Sequence, residues 1–209
     1  MKIRLLFSLL FVSLLSISAN SKVDSLLNIL DKESNDTLRL RVNVALSAEY
    51  IKTDLKQALE YNSNSLELAK KMNHPREIAA AYHRYAYIYS KLDQKEKATE
   101  YYLMSARILE KEGTDFDLAA INNSLGLLMM ESDERQKALN YYNKALAYAS
   151  NEKHSKIKAG ILNNIGSVYL REKNDSLALS LFQSAVNLNV QNGNADWLAN
   201  NYANIAKSA

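Results

Sequence analysis

Small and large apolar side chains recur along this chain with two periods. Within a segment they lie four apart, as Ala98 with Tyr102 and Ala138 with Tyr142 do, which places each pair on one helix face. Between segments they return after 40 residues: Ala58, Ala98, Ala138 and Ala178 form one column, and Ala79, Ala119, Ala159 and Ala199 a second. Aromatics follow the same frame, with Tyr61, Tyr101 and Tyr141 in one column and Tyr102, Tyr142 and Phe182 in the next. Ser65, Ser105, Ala145 and Ala185 form a further small column. A large residue precedes a small one at Tyr85–Ala86, Leu125–Gly126, Ile165–Gly166 and Ile205–Ala206. The frame runs from residue 58 to 206 without insertion.

Columns defined by size are what antiparallel helix pairs require. Helices approach to about 8–10 Å where a small residue faces a large one. A single hairpin leaves one face bare, so successive hairpins stack to bury a continuous core. The pattern therefore predicts an all-α solenoid of stacked antiparallel hairpins. A short helix or cap is expected in 20–35, then hairpins at about 36–72, 76–111, 115–151 and 155–191, and a partial unit at 195–209. Punctuation supports these bounds. Asp93 with Glu96 reads as a capping-box-like start, and Asn174 or Asp175 as a cap. Gly113 and Gly193 sit where left-handed helix ends are expected, and Pro75 suits a first turn.

These columns resemble the tetratricopeptide repeat. Its pattern reads Tyr82, Tyr85, Ala86, Tyr89, Ala98, Tyr102, Ser105 in one unit and Leu162, Ile165, Gly166, Tyr169, Ala178, Phe182, Ala185 in another. A third unit has Leu125, Gly126, Ala138, Tyr142 and Ala145, with Asn122 and Met129 at the remaining large positions. The first departs most: Leu46 stands in the Gly/Ala slot and Asn62 in the aromatic slot. The 40-residue period resembles a long-helix variant of the 34-residue unit. The opening "VDSLLNILDKESNDTLRLRVNVALSAEY", followed by "ALEYNSNSLELAKKM", also resembles the exported repeat region of bacterial sensor histidine kinases and regulators. The resemblance implies a right-handed superhelix of the stacked hairpins and a binding scaffold.

The first residues change the picture. Lys2 and Arg4 precede an apolar run from Leu5 to Ile17, then Ser18, Ala19 and Ser21. That is the layout of a secretory signal peptide, 1–19, expected to be cleaved near Ala19, with an uncleaved anchor as the lesser alternative. The run is short for a span, which needs about 20 apolar residues. The expected location is exported, periplasmic or extracellular, with no membrane contact in the mature segment. Beyond the leader, 24 basic and 23 acidic residues nearly balance, and runs such as "KLDQKEK" are mixed. Nucleic acid is not an expected partner. Cysteine is absent, so no disulfide braces the fold.

The first helices of stacked hairpins line a concave face. One inward column holds Asn43, His83, Asn123 and Asn163, with Arg84, Tyr87, Ser124, Asn164, Arg171, Asn204 and Lys207 beside it. An asparagine amide can pair with both N–H and C=O of an extended peptide. The same amides can instead bridge adjacent helices, and both readings stand at this stage. The arginines could hold a ligand carboxylate or pair with nearby acids. The doublets Tyr101–Tyr102 and Tyr141–Tyr142 are expected to place one ring inward and one at a groove edge.

Catalysis finds little footing. His74, His83 and His154 lie in different units, and no Gly-rich phosphate loop or metal-ligand spacing is present, so no cofactor or metal is expected. The segment "LANNYANIAKSA" begins another first helix without its partner. A longer chain is the expected reason; the alternative is self-association or a partner covering the bare helix. The expected function is a non-catalytic scaffold for a protein or peptide segment. The alternatives are the input region of a transmembrane signalling kinase or regulator, and, least, a hydrolase on a helical scaffold.

Overall fold

The computed structural model describes residues 22–208, so the expected signal peptide lies outside the described residues. Helix α1 spans 22–32. It is followed by α2 (Asp36–Tyr50), α3 (Leu55–Lys71), α4 (Pro75–Lys91), α5 (Lys95–Glu112), α6 (Asp115–Glu131), α7 (Arg135–Tyr148), α8 (Ser155–Arg171), α9 (Asp175–Gln191) and α10 (Ala195–Ser208). A 3-10 turn, Glu152–His154, leads into α8. The starts of α4, α6, α8 and α10 lie 40 residues apart, as do those of α3, α5, α7 and α9. No strand occurs among the described residues.

The chain forms two compact units that meet in sequence at Leu92 and Asp93, within the hairpin expected over 76–111. In the first unit α2 packs on α3, and α3 on α4. In the second, each helix from α5 to α10 packs on the next, and the first helices α6, α8 and α10 also touch in succession. No helix among the described residues is long and apolar enough to cross a membrane.

The small columns are the buried contacts of these hairpins. Ala58, Ala98, Ala138 and Ala178 are fully buried, as are Ser65, Ser105, Ala145 and Ala185 to within 1%. Ala79, Ala119 and Ala159 are buried too, whereas Ala199 in α10 is exposed. In unit 2, Tyr102, Tyr142 and Phe182 lie in the core while Tyr101 and Tyr141 are half-buried. A Cβ added to Gly126 would stand 2.4 Å from Tyr142 Cε1, so the backbone itself fills this contact. In unit 1 the sizes are exchanged: Leu46 and Asn62 are both fully buried, and the bulk moves from the second helix to the first.

Helix ends depart from the sequence reading in two places. Gly113 is extended (φ −87°, ψ 169°), so it does not take the left-handed cap; Thr114 follows and builds a capping box with Asp117 that opens α6. Asp93 is itself left-handed (φ 55°), and α5 starts at Lys95 with no side-chain cap, so Asp93 and Glu96 make no capping box. Non-glycine residues carry most of the left-handed turns: Asn73, Asp93, Asp133 and Lys173, with Gly193. At Asn73, Asp133, Lys173 and Gly193 the following N–H reaches back five residues, as in His74 N–H to Ala69 O (3.0 Å) and Asn174 N–H to Tyr169 O (2.9 Å). These are Schellman ends, which satisfy carbonyls that the helix leaves open. Asn35, Asp54 and Asn174 cap α2, α3 and α9 with their side chains.

Candidate binding face

In unit 1 the candidate residues lie on α2 and α4. Asn43 is buried to 2% and donates Nδ2–H to Arg39 O at 2.8 Å, so it is fixed on its own helix. Its Oδ1 is a buried oxygen without a partner among the described residues. His83, on α4, is held well below the ordinary imidazole range, to about 4, by burial first and then by the Arg84 charge. It is therefore neutral at physiological pH. Tyr87 is exposed, and the Lys91 ammonium lies 5.3 Å from its ring centre.

Arg84 has the most unusual surroundings. Its Nε–H donates to Asn62 Oδ1 at 2.8 Å and its Nη2 to Ser65 Oγ at 3.3 Å. Asn62 in turn donates Nδ2–H to Ala81 O at 3.0 Å, and Ser65 donates to Asn62 O at 2.8 Å. A buried chain of neutral oxygens on α3 thus holds a cation that reaches from α4. No carboxylate among the described residues pairs with it; Glu77 acts only at longer range, and burial lowers the guanidinium's proton affinity. Asn62 and Ser65 carry this arrangement, and sequence reasoning missed their role. The signal was Asn62 itself, a polar residue in the aromatic slot.

In unit 2 the candidate amides are joined to one another. Asn164 Nδ2–H donates to Asn123 Oδ1 at 2.9 Å. Asn163 Oδ1 accepts from both Asn201 and Asn204, each at 3.0 Å. Asn201 Oδ1 accepts from Asn189 at 2.8 Å, and Asn189 Oδ1 accepts from Asn194 at 3.4 Å. Asn189 and Asn201, buried to 1% and 2%, are the hidden middle of this chain and were absent from the sequence-based set. Both lone pairs of Asn163 are used. Of the two readings of Asn163, its acceptor takes the bridging one, joining α8 and α10, and what the amide retains for a ligand is its N–H donors.

Ser124 Oγ donates to Ala120 O at 3.1 Å within α6. Arg171 ends α8 and is exposed, and Lys207 is exposed near the end of α10. His74 and His154 flank α4 and α8 at their N-terminal ends. No group of three or more His, Asp or Glu among the described residues could hold a metal ion.

Comparison with known proteins places this geometry. Residues 79–108 and 117–189 match family models described as tetratricopeptide repeat. None of the curated proteins compared with the chain matches it. Among solved structures, BtubC from P. vanneervenii is similar, with 20% identity and a TM-score of 0.73, over 92% of this chain and 80% of that one. A signal-transduction ATPase with a tetratricopeptide repeat sensor from Pyrococcus horikoshii is 16% identical with a TM-score of 0.72, over 85% of this chain and 28% of its own length. The apo form of RapI is 18% identical with a TM-score of 0.60, over 95% and 78% of the two chains. Likeness at these identities is likeness of fold. The chain carries tetratricopeptide repeats at 79–108 and 117–189, in an all-α solenoid fold.

Proposed function

We propose that this chain is a non-catalytic scaffold that binds an extended protein or peptide segment against the first helices of its hairpins. The observation that carries the reading is Arg84. Drawing a guanidinium out of water is costly unless an anion compensates it; Arg84 is partly buried, and the partners its side chain has are neutral oxygens. A ligand carboxylate, from an acidic side chain or a chain terminus, supplies the missing charge. In unit 2 the N–H donors left on Asn123 and Asn163 suit carbonyl oxygens of a ligand backbone. Affinity then rests on apolar contacts around such polar anchors, because anchors and packing count for more than isolated polar pairs.

The test is a display library of random peptides panned against the immobilised full chain. Enrichment of segments sharing an acidic residue or a free carboxyl end is the expected result. Binding of the enriched peptides should fall at least about tenfold in Arg84→Met. Failure to enrich any peptide, or binding indifferent to Arg84→Met, overturns the reading.

Export also belongs to this proposal. The reading of 1–19 as a leader is tested by sequencing the N-terminus of the protein recovered from its native cells: a start near Asn20 or Ser21 supports it, and a start at Met1 refutes it. The long-helix-variant reading rests on helix starts that recur every 40 residues.

A further inference from the structure

Helix α10 is seated on α8 as α8 is seated on α6. Asn164 Nδ2–H donates to Asn123 Oδ1 at 2.9 Å, and one repeat later Asn204 Nδ2–H donates to Asn163 Oδ1 at 3.0 Å. Asn201, 2% exposed, donates to Asn163 as well. Because the amide bridge recurs, equivalent faces of these helices can be compared for what covers them.

In α8, Ala159, Leu162 and Gly166 form one face, and α9 covers it. Ala185 of α9 shares a buried cluster with Ala159 and Leu162, and Phe182 fills the space over Gly166. In α6, Tyr142 of α7 fills the space over Gly126 in the same way. In α10 the same columns hold Ala199, Tyr202 and Ala206, spaced three and four apart along one helix face. All three are exposed, Tyr202 at 55% against 9% for Leu162. A face that is core in α8 is therefore surface in α10.

The helices that cover α6 and α8 define what fits. α7 presents Ala138, Tyr142 and Ala145, and α9 presents Ala178, Phe182 and Ala185: a small residue, a ring four later, and a small residue three after that. The ring seats on the small column of the first helix, and the small residues let the two backbones approach. Each of these stripes is buried to within 1% in its own hairpin, so a second copy of the chain has neither of them free to offer.

We propose that the outer face of α10 docks an amphipathic helix of another protein, antiparallel to α10 and carrying this small–aromatic–small stripe. Its ring lies on Ala206, and its small residues lie beside Tyr202 and Ala199. The site goes beyond the reading built on Arg84 and does not depend on it: Arg84 belongs to unit 1, α10 belongs to unit 2, and the occupant is a helix rather than an extended segment. One face of a 14-residue helix is smaller than the about 800 Å² per partner that stable complexes bury, so the binding is weak and reversible.

The probe is a labelled synthetic peptide with the sequence of α9, Asp175–Gln191, titrated with the full chain and followed by fluorescence anisotropy. Saturable binding with a Kd of about 100 μM or tighter is expected. Phe182→Ala in the peptide and Ala206→Glu in the chain should each weaken it at least about tenfold. Ala206 is exposed, so Ala206→Glu should leave the circular dichroism spectrum unchanged. Arg84→Met should bind this peptide as the unaltered chain does, so the two readings fail separately. Sedimentation velocity of the chain alone tests the other occupant: self-association abolished by Ala206→Glu would assign the face to a second copy. That outcome, the lack of saturable binding at about 1 mM, or binding that Ala206→Glu retains overturns the proposal.

Discussion

Phe182 of α9 occupies the space that a side chain on Gly166 of α8 would need: a Cβ there would stand 2.7 Å from Phe182 Cε1 and 2.9 Å from Cδ1. Tyr142 stands in the same relation to Gly126, closer still. Both rings are buried to within 1%, so neither can swing out without leaving a hole. Gly166→Ala and Gly126→Ala should therefore each cost about 1–3 kcal/mol of overpacking, with Gly126→Ala the worse. Urea unfolding measures it. Gly166→Ala combined with Phe182→Leu should cost less than the sum of the two single changes, and simple additivity would show that the two residues do not share one space.

His83 makes stability depend on pH. Its folded value near 4 lies below the ordinary imidazole value of 6.5, so the unfolded chain binds the proton more readily between them. Stability from this group is present above about pH 6.5 and is lost as pH falls towards 4, by at most about 3 kcal/mol. Comparing wild type with His83→Gln at pH 7.5 and pH 5 isolates the effect from other titrating groups. The variant's loss of stability over this range should be the smaller; equal losses would place His83 in water.

The asparagine chain of unit 2 predicts a steep local response. Asn201→Ala removes the acceptor of the buried Asn189 Nδ2–H, and one of the two donors to Asn163 Oδ1, which keeps Asn204. Leaving buried amide groups unpaired costs about 1–3 kcal/mol, measurable as a lowered melting temperature. Ser184→Ala, which removes an exposed bond from Oγ to Ser180 O within its own helix α9, should shift stability by less than about 0.5 kcal/mol.

Lys173 holds a left-handed conformation (φ 60°) at the end of α8. An L side chain there costs about 1–2 kcal/mol, partly offset because glycine loses more entropy on folding. Lys173→Gly should raise stability by up to about 1 kcal/mol. A drop would show that the lysine side chain contributes more than its backbone strain takes away.

Arg84→Met separates binding from stability. Replacing the partly buried Arg84 charge by an apolar side chain of similar length relieves its desolvation, which offsets part of the about 1–3 kcal/mol lost when fully buried Asn62 Oδ1 gives up this donor. The melting temperature should hold within a few degrees while the ligand affinity falls. A large loss of stability would assign Arg84 to the frame alone.

Much of the architecture is legible from spacing. Ala58, Ala98, Ala138 and Ala178 have to be small because helices cross there, and Tyr142 and Phe182 have to be large because glycine faces them. Size at a crossing is a local demand, so it repeats with the unit and shows in the sequence. Helix ends are less legible. Asn73, Asp133 and Lys173 do the work assigned to glycine, because a Schellman end tolerates a side chain when its two backbone bonds form.

The chain by itself determined the all-helical repeat, its 40-residue register and the set of polar residues left over from packing. Only the tertiary structure decided how those polar residues divide. Asn163 spends its acceptors on Asn201 and Asn204, Asn43 is buried with one unsatisfied oxygen, and Arg84 is embedded among neutral oxygens. The physical reason is that apolar burial depends on size and recurs with period, whereas a hydrogen bond depends on which donor meets which acceptor across neighbouring helices. Residue spacing carries the first and is silent on the second.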